Sequence, residues 1–404
     1  MLKIGLKPNR FRDIMKVLQT CIRFPPAPGG AETHVLEVSK LLRDRGYDVT
    51  VFTSDLYKEV PFTRKKDWAS TSEGIPVKRF KAHSMPGELH YIFIPTMMKA
   101  ILRSKFDLIH AHSYGYFQVN LSGLNKRLRN TPFVLTPHFH PPWSMWGGDR
   151  RKQLRKIYDK IMAPSVLNSV DRIIGVSHHE IELLSKIIKI DMTKVRYIPN
   201  GIDFSRFEPI PSPKFFIEKY RPKGNMILYV GRLASNKGLE VLVNSAVDVL
   251  KENPNSTFVF VGEDEGMKDT LIKLGKERGI AKHLLFTGHI KDHQLFLSAF
   301  SACDLFVLPS EYEAFGIVLL EAQACKKPVI GTRVGGVPEA IGSEGSGMII
   351  EYGDPQQLSE AINKLLSDPE LRMKMGKIGR ERVKTRFTWE IVVDQIEKVY
   401  TELM

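Results

Sequence analysis

The chain has 404 residues, 43% of them hydrophobic, and 59 Lys plus Arg against 45 Asp plus Glu give a net charge of +14. That length suits two domains of about 200 residues rather than one core. No apolar run approaches the roughly 20 residues that span a bilayer, and the first residues lack a signal-peptide core, so a cytoplasmic location is expected.

Three scattered cysteines, Cys21, Cys303 and Cys325, exclude a disulfide framework or a zinc finger and read as small buried thiols. The cationic excess needs an anionic partner. Without finger spacing or RNP-like strands, phosphorylated small molecules and anionic lipid are favoured over nucleic acid.

Residues 1–14 are basic and unpatterned and read as an extension; an α/β domain starts with the strand at Met15–Cys21. The rigid loop Phe24–Pro28 leads to Gly29-Gly30 and a helix that ends at Gly46, so the two glycines sit at a strand-to-helix turn where a phosphate can approach main-chain amides. A plain tight turn accounts for them equally well. Strand and helix patterns then alternate through Asp48–Thr53, Val77–Phe80, a helix near 91–103, Asp107–His112, a helix near 116–129 and Phe133–His138. This alternation predicts a parallel, doubly wound sheet with its ligands beyond the carboxyl ends of the strands.

His110, His112, His138 and His140 gather at those ends, and His138 is the favoured functional residue. Trp143 and Trp146, next to a basic helix that begins with Arg150 and Arg151, suit either a peripheral membrane contact or a loop folded over the site. The first domain is expected over 15–205 and a linker over 206–222. A second alternating series fills 223–386, and a final helix over 387–404 has Thr388 as N-cap.

The second domain carries the chemistry. Its first strand ends in Gly231-Arg232-Leu233-Ala234-Ser235-Asn236-Lys237-Gly238, which places two cations in a loop at a strand's carboxyl end. The order of Gly and Lys differs from a Walker loop, but the pair suits a diphosphate leaving group. Farther on, Glu313-Ala314-Phe315-Gly316-Ile317-Val318-Leu319-Leu320-Glu321 reads as an acidic turn opening into a helix at a glycine. Two carboxylates bracketing free amides offer acceptors for hydroxyls and donors for an anion, the combination that a sugar phosphate needs.

Gly29-Gly30, Arg232 with Lys237, and Glu313-x7-Glu321 around Phe315-Gly316, in this order and spacing, resemble the family 4 retaining glycosyltransferases over nearly the whole chain from Met15. Ile198–Asp203 and Gly175-Val176-Ser177 resemble that family as well. The resemblance implies the GT-B fold, two Rossmann-like α/β domains facing across a cleft. The second would hold a UDP- or GDP-linked sugar and the first the acceptor, with the last helix returning to the first.

It further implies that Arg232 and Lys237 meet the diphosphate, helped by amides at Gly30 and at Phe315, Gly316, Ile317 and Val318. Glu321 would take the ribose, Glu313 the transferred hexose or N-acetylhexosamine, and Gly288-His289-Ile290 the base. His138 would sit by the sugar C6 hydroxyl or the acceptor. Catalysis would proceed with retention on a glycan, glycolipid or lipid-linked acceptor. No cofactor and no metal are expected, because the chain has no Asp-x-Asp and the cationic pair makes an ion unnecessary; Glu263-Asp264-Glu265 reads as surface or as a turn near the sugar.

The rival readings are an epimerase or phosphorylase of similar shape, a solute-binding protein, and a basic nucleic-acid binder. They are separated in turn by donor-only incubation, by an export signal, and by salt-dependent binding to nucleic acid.

Overall fold

The computed structural model describes residues 14–59, 61–65, 69–84, 92–139 and 149–404. These divide into two compact units. One comprises residues up to Gly175 with Leu184–Arg196 and Gln395–Met404; the other comprises Val176–Leu183 and Tyr197–Asp394.

The first unit is built on six parallel strands, β1 (Lys16–Thr20), β2 (Asp48–Ser54), β3 (Ile75–Phe80), β4 (Leu108–His112), β5 (Phe133–Thr136) and β6 (Arg172–Gly175). Their order across the sheet is β3-β2-β1-β4-β5-β6, with Val195–Tyr197 added beside β6 and the short antiparallel Thr71–Ser72 beside β3. Strands of this kind are apolar on both faces because helices cover both. Thus all five residues of β4 are buried, including His110 and His112. The chain winds outward from β1 in one direction and then from β4 in the other, which opens a crevice between β1 and β4 at their carboxyl ends.

The second unit repeats this plan with β7 (Asn225–Val230), β8 (Ser256–Val261), β9 (Leu284–Gly288), β10 (Leu305–Leu308), β11 (Val329–Thr332) and β12 (Gly347–Ile350). All neighbours pair in parallel, in the order β9-β8-β7-β10-β11-β12. The switch point here lies between β7 and β10. Its core gathers Val230, Phe258, Phe260, Phe300, Phe306, Leu319 and Val337, all nearly or fully buried.

Two stretches differ from the sequence reading. The segment expected as a linker without regular structure holds a 3-10 turn at Phe204–Phe207 and a helix at Lys214–Tyr220. Phe204, Phe207 and Phe216 bury their rings in the second core, which binds the segment to that unit despite its prolines and charges. The strand expected over Phe133–His138 stops at Thr136, and His138 has a left-handed backbone with φ of +42°, outside any strand. The final helix, Trp389–Thr401, opens where expected, with the Ile391 amide donating to Thr388 Oγ1 at 3.4 Å. All three cysteines are buried thiols.

Candidate functional site

At the switch point of the second sheet the loops after β7 and β10 meet. The Glu311 amide donates to the Asn236 carbonyl at 3.0 Å, and Gly238, at φ +62°, lies so close to Pro309 that an added Cβ would stand 1.9 Å from the Pro309 carbonyl oxygen. Only glycine allows this approach. It brings Lys237 Nζ to 2.5 Å from Glu313 Oε1, with both side chains mostly shielded from water. Ser310 Oγ donates to the same oxygen at 3.1 Å, and the Gly336 amide to the Glu313 carbonyl at 3.0 Å. Ser310 had no place among the sequence candidates, since a serine at a strand end has no distinguishing spacing.

Arg232 follows β7, and its neighbour Leu233 bonds to the loop after β8, its amide donating to the Glu263 carbonyl at 2.8 Å. Tyr229 donates its hydroxyl to the Arg232 carbonyl at 2.8 Å and fixes the backbone, while the guanidinium, about half exposed, pairs with Glu265 at 2.5 Å. The acidic cluster thus has two structural duties. Glu265 engages Arg232, and the Asp264 carboxylate accepts from the amides of Gly266, Met267 and Lys268, which pull its pKa down.

Beyond Glu313 the chain enters the helix Ile317–Ala324 through Gly316, at φ +90°. The first turn of a helix presents amides without intrahelical acceptors, and here they belong to the stretch Gly316, Ile317 and Val318 beside the crevice. Phe315 is buried and anchors the turn against Phe387, ring centres 5.8 Å apart. One turn into the helix, Glu321 is half-buried; burial pushes its carboxyl up to about 7, with the Arg206 charge pulling the other way. Arg206 is held at 2.8 Å by Asp203. It escaped the sequence reading because it lies in the supposed linker. Gly288, at φ +69°, closes β9; His289 is exposed and Ile290 is buried.

The remaining candidates lie in the first unit. Gly29 and Gly30 stand at the start of the helix Gly30–Asp44, and an added Cβ at Gly29 would fall 2.0 Å from Glu32 Oε2. The Glu32 carboxylate is buried and paired with Arg23 at 2.8 Å. Burial raises its pKa and Arg23 opposes the rise. The Glu32 carboxylate and its Arg23 partner thus lie beside this turn.

His138 packs edge-on against His34 of the same helix, with ring centres 5.0 Å apart, and stacks at 5.7 Å on His112. His110 and His112 are fully buried; burial, reinforced by neighbouring imidazoles, lowers both pKa values well below the ordinary range, so both rings are neutral. His140, Trp143 and Trp146 lie outside the described residues. Arg150 and Arg151 start the helix Asp149–Ile161, and their side chains are likewise outside the described part.

Two α/β units, each on a parallel sheet with the same doubly wound order, and a charged crevice at the switch point of the second, define the GT-B class of enzyme. The chain belongs to the family 4 glycosyltransferases: residues 28–206 match the model for Glycosyltransferase Family 4, and residues 213–382 match that for Glycosyl transferases group 1. It is a glycosyltransferase. A D-inositol 3-phosphate glycosyltransferase of Corynebacterium jeikeium is 28% identical over 395 residues, covering 93% of this chain and 92% of its own. An uncharacterized glycosyltransferase of Methanocaldococcus jannaschii is 29% identical over 392 residues, covering 96% and 99%. The fold matches that of HepE from Anabaena, solved with UDP and glucose, with a TM-score of 0.76 at 21% identity over 96% of this chain and 100% of that one. Among the described residues no helix is long and apolar enough to cross a membrane.

Proposed function

We propose that the chain moves a hexose-type sugar from a nucleotide-sugar to a glycan, glycolipid or lipid-linked acceptor, with retention at the anomeric carbon and without a metal at the diphosphate. The observation that carries this reading is the pair Lys237 and Glu313, set 2.5 Å apart across the switch point of the second sheet. There a cation for phosphate and a carboxylate for sugar hydroxyls stand side by side. Among the described residues both hydrogen bonds to the Glu313 carboxylate fall on Oε1, and Oε2 would accept from the sugar.

The diphosphate would meet Lys237, Arg232 released from Glu265, and the first-turn amides at Gly316, Ile317 and Val318; the ribose would meet Glu321. In the reaction the acceptor oxygen attacks C1 on the face from which the phosphate departs. The C1–O bond to phosphate breaks, and the acceptor proton passes to the leaving phosphate oxygen. Lys237, Arg232 and the amides then stabilise the charge that develops on that phosphate. His138 would orient the sugar C6 hydroxyl or the acceptor. A UDP-linked donor is favoured by the ligands in the HepE structure, and a phosphate-bearing acceptor by the name of the Corynebacterium relative and by the net charge of +14.

A nucleotide-sugar bound only by the folded protein raises its melting temperature, by the equivalent of about 2.7 kcal/mol at a hundredfold excess over Kd. UDP-glucose is expected to do so at millimolar concentration, and proton NMR of the first product formed should show the donor's anomeric configuration. No shift with any nucleotide-sugar would remove the donor site, and an inverted product would remove the retaining mechanism.

A membrane-resident acceptor has its own support. The helix Asp149–Ile161 exposes Leu154, Ile157 and Ile161 at helical spacing, followed by exposed Met162, with Lys156 and Lys160 also in solvent. A basic amphipathic helix of this kind rests on anionic lipid. Sedimentation with phosphatidylglycerol vesicles at low salt is expected to carry the protein down, and the double variant Ile157→Ser with Ile161→Ser is expected to stay in solution. Equal sedimentation of both proteins would dissociate this helix from the membrane.

A further inference from the structure

The first unit contains a buried polar chain that ends in a bare nitrogen. Gln19 on β1 pairs in register with His110 on β4, and His112 follows two residues later on the same face. Tyr400, from the final helix, accepts from Gln19 Nε2 at 3.0 Å and stands 2.7 Å from His110 Nδ1, whose other nitrogen lies 2.7 Å from Thr136 Oγ1. Gln19 Oε1 lies 2.8 Å from His112 Nε2. An amide oxygen accepts, so with Gln19 in this orientation His112 carries its proton on Nε2 and turns a lone pair outward on Nδ1. That Nδ1 is buried and has no hydrogen-bond partner among the described residues.

Around it stand the imidazoles of His34 and His138. One ring nitrogen from each of His34, His112 and His138 lies within 4.8 Å of the other two. The ring centres are 5.0, 5.5 and 5.7 Å apart. Three imidazoles on one tetrahedral ion, at metal–nitrogen distances of about 2.0–2.1 Å, set their ring centres about 5 Å apart. The three rings are therefore spaced as for a common ligand.

We infer that His34, His112 and His138 form a binding site for a divalent transition ion of the zinc type, with Gln19 orienting His112 from behind. Neutral imidazoles suit zinc, copper, nickel or iron and are poor ligands for magnesium or calcium. The hydrogen bond from His112 to Gln19 is the outer-shell contact that fixes the tautomer of a metal-bound histidine. Three protein ligands leave a fourth position open. These three histidines belong to the first unit, whereas Lys237 and Arg232 belong to the second. Where His138 serves the substrate, an ion held here would occupy it and inhibit transfer; that consequence rests on the proposed function, whereas binding itself does not.

Titration of the full chain, stripped with EDTA, with Co2+ is expected to give the visible d–d bands of a four-coordinate nitrogen site, saturating at one equivalent, displaced by Zn2+ and untouched by Mg2+. His34→Gln and His138→Gln, each checked for folding by circular dichroism, should weaken the affinity at least about tenfold, and the exposed His83→Gln should leave it unchanged. His138 is only partly buried, so its variant remains informative where the His34 variant fails to fold. Absence of the bands at one equivalent, or bands undiminished by His138→Gln, would overturn the site.

Discussion

Lys237→Ala and Arg232→Ala are each expected to lower turnover at saturating donor by roughly 10²–10³-fold, the usual loss when one preorganised donor to a developing negative charge is removed. The two variants should differ in stability, because their ground-state partners differ. Lys237 Nζ and Glu313 are mostly shielded from water, so losing the lysine strands a carboxylate in a poorly solvated crevice and the melting temperature should fall. Arg232 and Glu265 are far more exposed, a setting in which an ion pair adds little, so Arg232→Ala should melt close to the parent. Initial rates at saturating donor, read beside thermal melts, separate catalytic loss from structural loss. Near-normal turnover in a folded variant would remove that residue from the chemistry.

The legible parts of this molecule were those written in local sequence. Alternating apolar runs gave both parallel sheets, because strands covered on two faces have to be apolar throughout. Gly316 marked the start of a helix, and Lys237 and Glu313 fell at the ends of β7 and β10, two strands that flank the switch point in this winding order. Contacts between distant residues were illegible. Tyr400 reaches His110 across 290 residues, and no spacing in the final helix announces it. Arg206 sits in a segment whose prolines and charges look unstructured, yet Phe204, Phe207 and Phe216 tie it down through burial without periodicity. The neighbour of the Gly29 turn was illegible for a related reason: a glycine shows that something can approach closely, and here the buried Glu32 carboxylate three residues on does so.

Glu321→Gln is expected to make the protein more stable and a poorer binder of its donor. The carboxyl is raised from 4.5 to about 7, chiefly by burial, so the folded state holds its proton more tightly than the unfolded chain does. A raised carboxyl contributes stability in full below pH 4.5, loses it as pH climbs through about 7, and contributes none above. At pH 8 the residue is ionised at an energetic cost of up to about 3 kcal/mol, less to the extent that water reaches it. The neutral glutamine removes that cost, and a gain of about 1 kcal/mol already moves the melting point of a domain this size by roughly 2–4 °C. The gain should shrink as pH falls and vanish near pH 4.5, where the native carboxyl is neutral too. Donor binding runs the other way. Ribose hydroxyls are bound by the ionised form, so affinity of the parent should rise between pH 5 and 8, while the variant should bind about 10–100-fold more weakly at pH 8, the worth of hydrogen bonds to a charged group, and show a flat profile. Calorimetric titration with UDP-glucose and melts across this pH range test both halves. A variant that binds as tightly as the parent would end the ribose assignment whatever its stability, and a less stable variant at pH 8 would show that the surroundings of Glu321, Arg206 among them, favour its charge.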